Sequence, residues 1–270
     1  MGEAMEGNPF EHVMDSQEWE FLESLGLKIH LPGFLTKFMI LELIVAGLIV
    51  AIYFPLAKRV QTGQPVRGLF WNAFESLLVF VRDQVAKPTI GEHEADRFVP
   101  FLWTMFLFVL FCNLLGLFPY MGSPTASIVV TAVLALFSGL VIHGSPIAKM
   151  GFGRYVKSYM PHMELPFGLG YFLAPMIFGI EIFGHFIKVM VLAVRLFANM
   201  FAGHTVLAVI LMFIVMAKNT VWYLFWPVTG FSVSGVAALS LLELLVGFIQ
   251  AYVFVFLTAI FLGSTLHPQH

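Results

Sequence analysis

The chain has 270 residues, 59% of them apolar and only 11% charged, against roughly 45–50% and 25% in soluble domains. A net charge of −2 offers no basic face to nucleic acid, and the single cysteine, Cys112, leaves neither an internal disulfide nor a thiolate metal cluster. No soluble sphere hides that much apolar surface, so the bilayer is the solvent for most of the chain, and an all-α polytopic membrane protein of five to six helices is expected.

Residues 1–34 form an acidic region, with Glu3, Glu6, Glu11, Asp15, Glu18, Glu20 and Glu23 against Lys28. The acidic start lacks the positive flank of a secretory signal, and Glu6 stands where a myristoylation site needs Ser or Thr. An integral membrane domain is expected over 35–270, with spans at about 35–57, 99–118, 125–142, 171–217 and 221–264. Between the first two, Val66, Leu69, Phe70, Ala73, Leu77 and Val81 recur at helical spacing. They predict a short helix at about 66–81 lying along the membrane interface, followed by a charged loop to Arg97. Residues 144–170 read as a Gly/Pro-rich loop. The last two apolar stretches are too long for one upright helix each and require tilt, a kink or an extra partial span.

Segment 58–97 carries six Lys and Arg, segment 144–170 three, and segment 119–124 none. The positive-inside bias therefore expects both basic segments in the cytoplasm, the N-terminus outside and the C-terminus inside.

Ionisable groups within hydrocarbon cost about 2.5–3.5 kcal/mol each on insertion scales, so each needs a reason. The stretch 171–217 holds Glu181, His185, Lys188, Arg195, Asn199 and His204. At roughly 100° per residue the first five share one face, and His204 lies about 140° away. The stretch 221–264 carries Glu243 and Gln250, seven residues apart and so on one face. An antiparallel hairpin of the two stretches pairs His204 with Glu243, Asn199 with Gly247 and Arg195 with Gln250, with its turn near residue 223. Arg195 is the unusual member, because Lys, Glu and His can neutralise in a low dielectric and guanidinium effectively cannot. Glu181 is about 21 Å of helix away, so the counter-charge is expected from another subunit. Glu181 and His185 then lie toward the inside and His204 and Glu243 toward the outside, two aqueous half-paths separated by a fixed cation.

Each residue also has a plainer reading. Arg195 can be a snorkelling or structurally paired arginine, and His204 with Glu243 an interhelical bond that holds the hairpin. His185 can pair with Glu181 at i,i+4. Lys188 reads as a snorkelling cation at the inner interface, Glu42 as an outer-interface residue, and Asn113 as either helix packing or path lining. His143, His162 and Glu164 lack the spacing of a zinc site.

At these residues the chain resembles subunit a of the F-type ATP synthase. Leu192-Ala-Val-Arg-Leu-Phe-Ala-Asn-Met-Phe-Ala-Gly-His204 resembles that family's signature around its essential arginine. Gln250-Ala-Tyr-Val-Phe-Val-Phe-Leu-Thr258 resembles its last helix, and Asn113-Leu-Leu-Gly-Leu-Phe-Pro119 the end of its second span. The resemblance covers about residues 35–265. It implies a stationary proton-channel subunit with a long tilted C-terminal hairpin beside a rotor ring. Arg195 would face the carboxylate of each c-subunit; Asn199, His204, Glu243, Gln250 and Asn113 would line an outer half-channel, and Glu181, His185 and Lys188 an inner one. The implied partners are the c-ring, the b-subunit peripheral stalk, the remaining synthase subunits, protons and lipid, in a bacterial inner membrane. No cofactor, metal or ATP chemistry of its own is implied. Two departures stand out: Lys188 is followed by Val189 where the family often has proline, and Ser127 and Val129 replace an acid and an amide.

Two other classes compete. An autonomous proton- or ion-coupled transporter would be expected to show paired repeats with broken helices. An intramembrane hydrolase would need a nucleophile and base, or metal ligands, at matching depth.

Overall fold

The computed structural model describes residues 36–61, 68–118, 122–158, 169–218 and 222–266, so the acidic region 1–34 lies outside the described residues. All regular structure among the described residues is helical. Helix α1 spans Lys37–Gln61, and α2 (Leu69–Phe80) continues through a π-helical turn, Val81–Ala86, into the short α3 (Lys87–Ile90). Then come α4 (Glu92–Gly116), a 3-10 turn (Pro124–Ala126), α5 (Ile128–Met150), α6 (Phe152–Ser158) and two long helices, α7 (Leu169–Lys218) and α8 (Trp222–Leu266). Five stretches are long and apolar enough to cross a membrane: Lys37–Lys58, Glu92–Gly116, Ile128–Met150, Phe183–Phe213 and Phe225–Leu266. At 50 and 45 residues, α7 and α8 are each one continuous helix. Their excess over the roughly 30 Å of hydrocarbon is therefore left to tilt, curvature or a kink such as Pro227 inside α8 permits, not to an extra span.

The chain divides into two compact units. The first holds α1, the end of α4 from Met105, the 3-10 turn and the run Leu196–Tyr252 that closes α7 and opens α8. On α1, Phe38, Leu41, Val45, Ile49, Ile52 and Leu56 are buried at spacings of three or four, which places them on one helical stripe. The other faces expose Leu43, Val50 and Phe54. An apolar residue on both faces costs nothing where lipid replaces water. The stripe brings α1 against the 3-10 turn, and Phe106 of α4 meets Phe248 of α8 edge to face at 5.8 Å.

The second unit holds α2, α3, the start of α4 to Thr104, most of α5, α6, the start of α7 to Arg195 and the end of α8 from Val253. No residue of α2 is buried, whereas Val81, Val85 and Ala86 in the π turn and Ile90 in α3 are. The wider turn rotates the apolar positions inward. Residues 82–97, expected as a charged loop, are almost entirely helical, because their charges find partners. Arg82 donates from Nε and Nη2 to the Asp96 carboxylate at 2.7 and 2.8 Å, and Lys87 reaches Asp83 one turn back at 2.6 Å. The hydrogen bonds and charge of Asp96 hold the Arg82 guanidinium above its ordinary value. Glu92 and Glu94 fill the first turn of α4, where the helix dipole favours acids. The break between α3 and α4 falls at Gly91, whose φ of 102° is open to glycine.

Helix α5 also runs past its expected end near residue 142. Pro146 lacks the N–H that would bond the Ile142 carbonyl. Thr265 of α8 donates its hydroxyl to that carbonyl at 3.0 Å, so the freed acceptor is satisfied from a neighbouring helix. Lys149 at the end of α5 pairs with Glu94 of α4. A Cβ at Gly263 would overlap the Thr89 carbonyl oxygen, so α8 meets α3 backbone to backbone.

Candidate functional site

In the first unit, His204 Nδ1 lies 3.3 Å from Glu243 Oε1, with side chains only 10% and 8% exposed. Two glycines make room for this pair. A Cβ at Gly203 would stand 2.9 Å from Glu243 Oε1, and one at Gly116 of α4 would stand 2.8 Å from His204 Nε2. The carboxylate thus enters the flank of α7, and the imidazole rests on α4. Gly247, one turn on from Glu243, faces Met200, one turn back from His204. The level match expected of the hairpin holds for His204 and Glu243, and Gly247 lies against Met200, the residue next to Asn199, and against Asn113. The expected turn position at residue 223 falls just inside α8, and residues 219–221 lie outside the described residues.

Asn113 anchors a polar chain beside the pair. Its Nδ2 donates to the Gly247 carbonyl at 3.0 Å, and its Oδ1 accepts from Thr125 Oγ1 at 2.7 Å. Thr125 Oγ1 lies 2.6 Å from Ser123 Oγ, which donates to the Cys112 carbonyl at 3.0 Å. Two hydroxyl protons serve three contacts, so one of the two hydroxyls divides its proton between two acceptors. Sequence reading missed Gly116, Gly203 and Ser123, whose roles depend on neighbours from other helices. Among the described residues, both Glu243 oxygens, His204 Nε2 and Asn199 Nδ2 are buried without a hydrogen-bond partner. Groups of this kind call for water or a shared proton. Gln250 is likewise buried.

Arg195, the last residue of α7 in the second unit, is exposed on a stripe of that helix with Ile187, Val191, Ala198 and Ala202, and it forms no ion pair among the described residues. His185 packs its ring at 5.3 Å from that of His143 on α5, and His143 Nδ1 shares a 2.6 Å hydrogen bond with the Tyr155 hydroxyl on α6. Lys188 is exposed, with its Nζ 5.4 Å from the centre of the Phe261 ring. Glu181 belongs to α7, but its side chain lies outside the described residues, and with it the expected pairing to His185. Glu42 is half-buried and engaged with its surroundings. Among the described residues, no cluster of three or more His, Cys, Asp or Glu side chains is placed to hold a metal.

Five apolar stretches with titratable groups and a permanent cation among them define an all-helical, multi-pass membrane protein. Residues 39–263 match the family described as ATP synthase A chain. The ATP synthase subunit a of Chloroherpeton thalassium is 39% identical over 271 residues, covering 96% of this chain and 77% of that protein. That of Myxococcus xanthus is 37% identical over 236 residues, 87% of this chain and 74% of its own length. That of Parvibaculum lavamentivorans is 33% identical over 258 residues, 93% of each. The chain belongs to the ATP synthase A chain family.

Proposed function

We propose that the chain is the stationary proton-path subunit of a rotary F-type ATP synthase in a bacterial inner membrane. Its partners are the c-ring, the b-subunit stalk and the remaining subunits, on which the ATP chemistry takes place. The observation that carries this reading is Arg195: an exposed guanidinium within the apolar stretch Phe183–Phe213, with no carboxylate paired to it among the described residues. A permanent cation at that depth needs a counter-charge, and a rotor carboxylate passing the exposed face of α7 supplies one.

Protons enter by an outer path lined by Asn199, His204, Glu243, Gln250 and Asn113 and neutralise a rotor carboxylate, which can then move into lipid. On return, the carboxylate gives its proton to an inner path lined by Glu181, His185 and Lys188. Arg195 favours the ionised carboxylate between these events and repels a proton that would cross directly. The buried His204–Glu243 pair, with its unpaired atoms, can hold one proton between two titratable groups. The excess of Lys and Arg in the basic segments supports an N-terminus outside and a C-terminus in the cytoplasm, with the exposed α2 along the interface.

The test is ATP-driven acidification of inverted vesicles carrying the assembled complex with Arg195→Ala. Pumping is expected to vanish with the subunit still present. Normal pumping would make the arginine structural and overturn the proposal.

A further inference from the structure

We propose that His143 and Tyr155 form a proton relay that extends the inner path from His185 to helix α6. The inference rests on the inner-path role of His185, and it adds two residues with no place in the path so far. Three helices of one unit bring the groups together: α5 supplies His143, α6 supplies Tyr155 and α7 supplies His185. Tyr155 is buried, its hydroxyl 2.6 Å from His143 Nδ1, and the His143 and His185 rings stand 5.3 Å apart at 71°. That ring separation is within reach of a hydrogen bond or of one bridging water.

The chemistry follows from which atoms can both give and take. A neutral imidazole that accepts a hydrogen bond at Nδ1 carries its own proton on Nε2. In the relay step the phenol O–H breaks as Nδ1–H forms, and His143 Nε2–H breaks as His185 gains a proton. The phenol oxygen takes a replacement proton from the aqueous phase on the inner side, so Tyr155 stays neutral and one proton has moved from that phase to His185. His143 resets by releasing its Nδ1 proton to water as Nε2 takes one from water, with no net change, and the reverse order carries a proton from His185 toward the cytoplasm. Neither Phe at 155 nor Gln at 143 can perform this exchange, although each nearly preserves the packing.

The proton carriers placed near His143 among the described residues come from four helices. Helix α7 presents His185 and Lys188, and α6 presents Tyr155. Helix α8 presents the hydroxyl of Thr265, which occupies the neighbouring Ile142 carbonyl. Lys149, further along α5, is held by Glu94 of α4. A plain structural clamp of α6 onto α5 would use the same 2.6 Å bond, so the test must read proton delivery and not only folding.

The assay is the initial rate of ATP-driven acidification in inverted vesicles carrying the assembled complex, across external pH from about 6.5 to about 8.5. Hydronium is scarce at the alkaline end, so delivery by side chains matters most there. Tyr155→Phe and His143→Gln are each expected to slow pumping by about threefold or more near the alkaline limit and little near the acid one. Imidazole in the medium is expected to restore His143→Ala in part, which guards against a variant that merely assembles less. Profiles of Tyr155→Phe and His143→Gln that overlay the unsubstituted complex, with no response to imidazole, would overturn the relay. Arg195→Ala, run alongside, separates the two failures: if it abolishes pumping while the relay variants change nothing, only the relay falls.

Discussion

The contact between Thr265 and the Ile142 carbonyl allows a stability prediction with an internal control. Both residues are nearly fully buried, and Pro146 removes the backbone donor that this carbonyl would otherwise use. Leaving a buried acceptor unpaired costs about 1–3 kcal/mol, while side-chain bonds between membrane helices average about 0.6 kcal/mol and reach about 1.7. The Thr265 hydroxyl also lies 2.9 Å from the Leu262 carbonyl, so one proton serves two acceptors and the lower half of that range applies. Thr265→Val is therefore expected to cost about 1 kcal/mol. In a Pro146→Ala background, the restored N–H can bond Ile142, and the same Thr265→Val change should cost less than about 0.5 kcal/mol. Denaturant unfolding of all four chains in one detergent, followed by helical circular dichroism, closes the cycle. Equal losses in both backgrounds would refute the reasoning, because the carbonyl freed by the proline would not be the acceptor that matters.

Two further changes address the buried acid. Glu243→Gln keeps the shape and removes the titratable proton, so ATP-driven pumping should slow by about tenfold or more with complex content unchanged, and unaltered coupled pumping would take Glu243 out of the path. Gly203→Ala places a Cβ 2.9 Å from Glu243 Oε1 and 3.3 Å from its Cδ, which a flexible carboxylate can relieve by moving a few tenths of an ångström. The helix should gain up to about 1 kcal/mol from the alanine, so this variant should assemble normally and pump more slowly; pumping at the unsubstituted rate would show that the spacing of the pair is unimportant.

Much of this was readable in advance for a physical reason. Hydrocarbon demands long apolar runs, so the five spanning stretches announce themselves, and any ionisable residue inside them is conspicuous. The match of His204 to Glu243 followed from two helices of constant rise running antiparallel. What escaped depends on partners distant in sequence. Residues 82–97 look like a loop until Asp96 is seen to hold Arg82 and Lys149 to hold Glu94, 55 residues away. Helix α5 should stop near its proline until Thr265 arrives from 123 residues on. Glycine is the least legible of all. Gly47, Gly179 and Gly184 meet nothing within 4 Å, whereas Gly116 and Gly203 are filled by the imidazole and the carboxylate. Their local sequences do not distinguish the two groups.

The distribution of charge within the chain bears on the proposed mechanism. The described arginine side chains, at 82, 97, 154 and 195, are all exposed, while the pair His204 and Glu243 is buried. Guanidinium cannot escape the cost of burial by giving up its proton, but imidazole and carboxyl groups can. Breaking a buried ion pair by removing one partner costs about 3–5 kcal/mol. A rotor that had to extract its carboxylate from such a pair at every step would meet that barrier each time. In the proposed mechanism, an arginine on the open flank of α7 would instead let a carboxylate arrive, be held ionised and leave. On the proposed function, Arg195 would exchange its counter-ion, and the His204–Glu243 pair would keep a proton.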